Sequence, residues 1–360
     1  MTAIAPLPLH VKRIGPTLLP DHSRVLMRPF RPSTDDIARR IVARVMALPE
    51  AEAARLLGRV LDEFANRHEH VGAFFRKRFE QVKIYLEPGA QLSDERRMLV
   101  GAYFTHEYSI EAAALFNPSI VPHPDQSGLP QGSLRFILSL RATGEGHISS
   151  IVFRTGTISA QGSITIMPPV PLVTEPERVP DVAYAKGLFA HKLEGAGVQN
   201  DFGRRVLDKL HEDFTLKELR AVLIASGLTD ISDDKASRAA HGILLLAESN
   251  YEVNFAPDSH VSQRVLFPSA PSQSNGIEDA RFVRFQNGDG SFHYYATYTA
   301  YDGKVTMPQL LETPDFLHFK FSMLNGPAVE NKGMALFPRK IGGQYAMLSR
   351  QDDENLLIMF

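Results

Sequence analysis

Apolar residues recur at helical spacing through the first hundred positions. Ile37, Ile41, Val42, Val45 and Met46 follow Ser33-Thr34-Asp35-Asp36, a run that suits an N-cap. Pro49 opens a second segment in which Ala53, Leu56, Leu57, Val60, Leu61 and Phe64 keep the period. His70 to Tyr85 predicts a third helix, with Phe74, Phe75, Phe79 and Val82 on one face. Ser93 starts a fourth that runs towards His106. Such amphipathic helices need a partner surface, so they predict a small bundle or a layer packed on the next domain.

From about Phe116 the period changes. Ser133 to Leu140, Ser149 to Arg154 and Gly162 to Met167 are short, β-branched or alternating, and are separated by Gly, Pro, Asp and Ser. Helical patterning returns between Asp201 and Asn250, through Val206, Leu207 and Leu210, then Leu216, Leu219, Val222 and Leu223, then Ala239 to Leu246. Strands resume at Tyr251 to Phe255, with Asn287-Gly288-Asp289-Gly290, Asp302-Gly303 and Gly342-Gly343 reading as hairpin turns. Repeated strand–turn–strand units predict a sandwich or a propeller. The expected organisation is an N-terminal helical region over 1–110 and a β domain over 111–360, with a helical insertion at about 201–250. Leu356 to Phe360 is wholly apolar, which reads as a chain that stops inside a strand.

Composition narrows the function classes. The chain has 360 residues, with Lys+Arg 39 against Asp+Glu 41, so no strong field steers it to nucleic acid or an anionic membrane. Hydrophobic residues at 44% are enough for a sizeable core and exclude disorder of the whole chain. There is no cysteine, which excludes disulfides, thiolate metal sites and a cysteine nucleophile. Met1 to Arg13 places its basic pair after its apolar part, the reverse of a signal peptide. The longest uncharged run, Thr155 to Thr174, is broken by three prolines and does not read as a spanning helix. A soluble, cytoplasmic protein is expected, acting on neither nucleic acid nor membrane.

Candidate chemistry gathers late in the chain. In Asn275-Gly276-Ile277-Glu278-Asp279-Ala280-Arg281-Phe282 a glycine turn feeds a strand, and the period of two puts Asp279 and Arg281 on one face and Glu278 on the other. The plain reading of that tetrad is an ion pair at strand entry. His293 to Asp302 carries Tyr294, Tyr295, Tyr298 and Tyr301 with Thr297 and Thr299; aromatic faces with hydroxyl tips suit sugar rings, and Tyr and Thr are also good strand formers. Lys332 precedes Arg350 with the Gly-Gly turn between them, so a hairpin would bring both cations to one edge, an arrangement that suits phosphate. Gly144-x-Gly146 lacks the third glycine of a dinucleotide loop, and no metal motif is present.

Taken in order, Asn117-Pro118-Ser119, Arg141-Ala142-Thr143-Gly144-Glu145-Gly146-His147, Gly276 to Phe282, Tyr298 to Asp302, Asn331 to Lys340 and Tyr345 to Arg350 resemble glycoside hydrolase family 130, the inverting β-mannoside phosphorylases and β-1,2-mannosidases. The resemblance covers about Phe116 to Phe360 and is strongest from Gly276 to Arg350. It implies a mainly β chain, a five-bladed β-propeller with its active site in the central funnel, here preceded by helices and carrying a helical insertion. It places the catalytic acid at Asp279, with Ala280 where the family has proline. Sugar contacts fall on Asn117, Arg141, Arg281, Tyr301 and Asp302, and phosphate contacts on Lys332 and Arg350; further phosphate ligands of the family lie beyond Phe360, as in a C-terminally truncated member. The implied reaction is phosphorolysis of a β-mannoside, β-1,4- or β-1,2-linked, to α-mannose 1-phosphate, with inorganic phosphate as co-substrate and no cofactor or metal. Two other readings stand beside it. One is a β-mannosidase of the same fold, for which Glu107, Glu111 or Glu330 would supply a second carboxylate. The other is a sugar-binding propeller without catalysis. The N-terminal helices suit either a neighbouring subunit in a homo-oligomer or their own β domain.

Overall fold

The computed structural model describes residues 16–227, 234–352 and 354–360; Met1 to Arg13, the segment weighed as a leader, lies outside them. The chain opens with β1 (Val25–Pro29), then α1 (Asp35–Met46), α2 (Glu50–Phe64), α3 (Val71–Val82) and α4 (Asp94–Tyr103). Two helices start on the caps that the sequence offers. The Thr34 hydroxyl accepts from the Ile37 N–H at 3.3 Å, and that of Ser93 from the Arg96 N–H at 3.1 Å, each satisfying an otherwise orphaned donor of the first turn. Val42, Leu57, Phe75, Phe79 and Leu99 close a core between the helices. A Cβ on Gly101 would stand 2.0 Å from the Phe75 carbonyl oxygen, so only glycine lets α3 and α4 approach this closely. β2 (Thr105–Ser109) returns antiparallel to β1, and Leu26, Tyr108 and Ile110 pack with Phe136, Val152 and Val265 in a second core. That core fastens the helical layer to the β body.

An antiparallel meander comes next: β3 (Ala114–Pro122), β4 (Leu134–Thr143), β5 (Ser149–Ile158) and β6 (Ile164–Ile166). After β7 (Glu177–Arg178) and β8 (Ala183–Ala185) comes a helical unit of α5 (Lys186–Gly195), α6 (Asp201–Asp208), β9 (Asp213–Thr215), α7 (Leu216–Ala225) and α8 (Asp234–Ser249). Sequence patterning marks α6, α7 and α8 but not α5. Phe189 and Leu193 of α5 enter the core of the unit while Leu188 stays outside it, so no single apolar stripe announces the helix.

The remaining strands are β10 (Tyr251–Asn254), β11 (Val265–Leu266), β12 (Gly276–Gln286), β13 (Phe292–Tyr301), β14 (Thr306–Thr313), β15 (His318–Met323), β16 (Ala335–Leu336), β17 (Met347–Ser349) and β18 (Leu357–Met359). The three expected turns connect β12 to β13, β13 to β14 and β16 to β17. A second meander runs β12-β13-β14-β15 and takes β10 and β7 at its outer edge. It joins the first through one parallel contact, Gly276 opposite Ser149, making an 11-stranded sheet. β16, β17 and β18 form a separate small sheet. The chain is therefore a mixed helix–sheet protein, more helical than the mainly β expectation. Among the described residues its strands close into neither a barrel nor a ring.

Candidate active site

Two strands of different meanders are interrupted where they face each other. The β3–β4 ladder breaks between Phe116 and Ser119, and the β12–β13 ladder between Glu278 and Arg281. Inside each bulge sits a residue with left-handed backbone: Asn117 at φ 47° and Asp279 at φ 56°. Asn and Asp enter that region more readily than other side-chain-bearing residues, and strain of this kind concentrates at functional sites. Asn117 Nδ2 donates to Asp279 Oδ1 at 2.6 Å. Just past both bulges the Phe282 N–H donates to the Ser119 hydroxyl at 2.8 Å and ties the strands together.

Arg141, on β4, completes the cluster. Its Nη2 donates to Glu278 Oε1 at 2.8 Å, its Nη1 reaches Asp279 Oδ1 at 3.5 Å, and its Nε donates to the Ser149 hydroxyl at 2.9 Å. The guanidinium carbon lies 5.5 Å from the centre of the Phe116 ring. This corrects the facing read from the sequence. A bulge adds a residue to one strand and shifts the pleat, so Glu278 and Asp279 both reach Arg141. Ala280 drops into the core, and Arg281, the expected partner of Asp279, is exposed and outside the cluster. Glu278 is thus the site residue that sequence reasoning turned the wrong way. An Asp inside an otherwise regular strand, a residue that tolerates left-handed backbone, was the available signal for the bulge.

The two expected phosphate cations lie on the next segment. The Thr297 hydroxyl donates to the Met334 carbonyl and holds the Asn331–Met334 loop against β13. Between that loop and β12 is a cleft of about 10 Å³, room for one water, lined by Asp279, Thr297, Thr299, Gly333 and Met334 among others. The β16–β17 hairpin pairs Ala335 with Leu348, which brings Lys332 and Arg350 to the same end. Asn331, itself at φ 61°, donates from Nδ2 to the Arg350 carbonyl at 2.9 Å. A Cβ on Gly333 would stand 3.8 Å from Arg350 Cδ. Both cations are exposed, as are Asn117 and Phe116.

Other expected site residues are placed elsewhere. Asp302 belongs to the β13–β14 turn: its Oδ1 accepts from the Val305 and Lys304 N–H groups at 2.7 and 2.8 Å, and these bonds hold the carboxyl below its ordinary range. Tyr301 ends β13 opposite Gly276 and is half-buried. Most of the Tyr and Thr side chains of β13 are packed inside, while Tyr295 and Tyr301 are half-buried. Tyr294, Thr297, Tyr298 and Thr299 are buried, and Tyr298 lies in a polar network with Gln273 and Gln309, where burial pushes its hydroxyl pKa well up. Of the candidate second carboxylates, Glu107 is held by Arg67 and His68, Glu111 is sealed between Arg24 and Arg154, and Glu330 is exposed on a loop. Among the described residues, no cluster of three or more His, Asp or Glu could hold a metal ion, and no helix is long and apolar enough to cross a membrane.

No family model and no curated protein matches the chain. Among solved structures it is similar to the β-1,2-mannobiose phosphorylase from Listeria innocua in complex with β-1,2-mannobiose. The identity is 17% and the TM-score 0.26, over 70% of this chain and 55% of that one. The chain thus spans little more than half of that structure's length. A likeness at this level assigns neither substrate nor mechanism.

Proposed function

We propose that this chain acts on β-mannosides by inverting phosphorolysis, releasing α-mannose 1-phosphate. The observation that carries the reading is the meeting of Asn117, Arg141 and Asp279, drawn from two meanders and held by two strained bulges at an exposed face. Left-handed backbone also occurs elsewhere in the chain, at His70 and Phe316 among others; here two such residues meet in one hydrogen-bonded cluster, and that coincidence supports a site. The two four-stranded meanders and the small β16–β18 sheet read as successive blades of the propeller that the resemblance implies.

The division of labour comes from charge. Asp279 protonates the leaving oxygen, through a mannose hydroxyl, while Asn117 and Arg141 orient the sugar. Phosphate is an anion at neutral pH and needs cations to place it rather than a base to activate it. Lys332 and Arg350, at one end of their hairpin, supply these. Inverting hydrolysis would need a second, free carboxylate about 6.5–9.5 Å from the acid. Glu278, the carboxylate beside Asp279, is spent on Arg141, and Glu107 and Glu111 are held by other cations; Glu330, exposed on its loop, is the carboxylate through which hydrolysis would have to run.

The test is sugar phosphate release from β-1,2- and β-1,4-mannobiose, with and without inorganic phosphate. Turnover should depend on phosphate and fall by about 10²–10⁴ in Asp279→Asn. Mannose release at the same rate without phosphate would replace this reading by hydrolysis. No turnover on either sugar, with sugar binding retained, would leave a binding module.

A further inference from the structure

A cavity of about 640 Å³ lies away from Asp279, between the helical unit and the second meander. That is within the range of small-molecule sites. Its roof is the face of α5 that carries Leu188, Lys192 and Gly195. Its floor is one face of the sheet, where cross-strand pairing sets Leu310 beside Ser322 and Glu312 beside Lys320. Tyr184, Phe189 and Leu324 add apolar wall. Leu188, 60% exposed, is one of the apolar side chains that line this space.

Lys192, half-buried, is one of the charged groups that line this space. Its ammonium donates to Asn250 Oδ1 at 2.8 Å, and the Asn250 Nδ2 donates in turn to the Leu246 carbonyl, which fixes the amide so that oxygen faces the lysine. Among the described residues no carboxylate lies within ion-pair distance of Lys192. Glu252 is taken by His318 at 3.1 Å, and Glu312 has Lys320 directly across the strand pair. Burial pushes the Lys192 ammonium pKa down, the charge of Lys320 adds to this, and the charge of Glu312 opposes it. A half-buried cation hydrogen-bonded only to a neutral amide, with its nearest carboxylate influence coming from Glu312 beyond ion-pair distance, is incompletely compensated, and a ligand anion in direct contact would complete it.

We propose that this cavity binds an amphipathic monocarboxylate, its apolar body against Leu188, Phe189 and Leu324 and its carboxylate on Lys192. The site shares the β14 face with the Asp279 cleft but uses none of the residues assigned to mannoside chemistry, so its fate is independent of that reading. The experiment is calorimetric titration of the full chain with octanoate and with octanamide, which has the same body and no charge. Octanoate should bind at one site at least about tenfold more tightly than octanamide, the worth of one charge-assisted contact. Lys192→Met should bring the two affinities together. The proposal is overturned if octanoate shows no saturable binding at millimolar concentration, if the two ligands bind equally to the parent chain, or if Lys192→Met keeps the preference. Should that variant not fold, the comparison on the parent chain decides alone.

Discussion

Two of the clusters that combine arginine with carboxylate are built to opposite ends. At the seam between the helical layer and the first meander, Glu111 accepts from Arg24 and Arg154, with Arg154 at 2.8 Å, and takes the Asp21 N–H at 3.1 Å on its other oxygen. Arg24 also bonds the Ser262 carbonyl. The side chains of this group are 0–2% exposed. In the second cluster one arginine, Arg141, serves two carboxylates, Glu278 and Asp279, at 14–22% exposure. The sealed cluster spends its carboxylate entirely on the protein. The open one leaves Asp279 with a long 3.5 Å contact and a free side. Interaction capacity left over, at an accessible place, marks the site; charge alone does not.

The contrast breaks or holds on measurement. Glu111→Gln leaves two buried guanidiniums without an anion and should cost about 3–5 kcal/mol in denaturant unfolding. Asp279→Asn, with a partly solvated side chain, should cost less than about 1 kcal/mol while removing turnover. Equal costs would erase the distinction between the two clusters. A finer probe is Asn117→Gly. Glycine takes the left-handed backbone without strain, so stability should stay within about 1 kcal/mol of the parent. The lost hydrogen bond to Asp279 should still slow turnover by at least about tenfold. A variant that unfolds readily yet turns over normally would assign the bulge to folding.

The smallest expected effect lies in the helical layer, where His68 Nε2 meets Glu107 Oε1 at 2.7 Å. Burial lowers the His68 pKa below the ordinary 6.5, outweighing the pull of Glu107. The folded chain therefore binds this proton less well than the unfolded chain, and stability falls as pH drops below about 6.5. At Glu107 burial acts upward, but the bonds from Arg67 and His68 prevail and hold it below 4.5. Its contribution is present above 4.5 and is lost as pH falls through the folded value. Both groups thus favour folding at higher pH. Thermal unfolding followed between pH 7 and pH 5 should show this slope, and His68→Gln should flatten it.

The local signals served well wherever they were local. Caps at Thr34 and Ser93, the apolar stripes behind them and the glycine turns of three hairpins depend on residues within one or two turns of each other, and they fold as the pattern predicts. The site was only half visible. Motif resemblance drew attention to Asn117, Arg141, Asp279, Lys332 and Arg350, and the structure does bring the first three into contact and the last two to one hairpin end. The period of two failed for Glu278 and Arg281, because it assumes an unbroken ladder. Whether a strand bulges is decided by its neighbour: Asp279 turns towards Asn117, which lies on a strand of another meander. The burial of Tyr294 and Tyr298 on β13 was not legible for a related reason, since what covers the face of a strand is set by the layers packed on it.

Sequence alone therefore determined most of the long helices, strands and hairpin turns, though not α5, and which residue types were available for acid and cation chemistry. Tertiary structure decided which of those groups share a face, which are sealed, and where a cavity remains. The physical reason is range. Backbone propensity and side-chain period act over a few residues, whereas burial, bulge geometry and the pairing of charges are set by contacts between segments more than a hundred residues apart, such as Asn117 with Asp279 and Arg24 with Ser262.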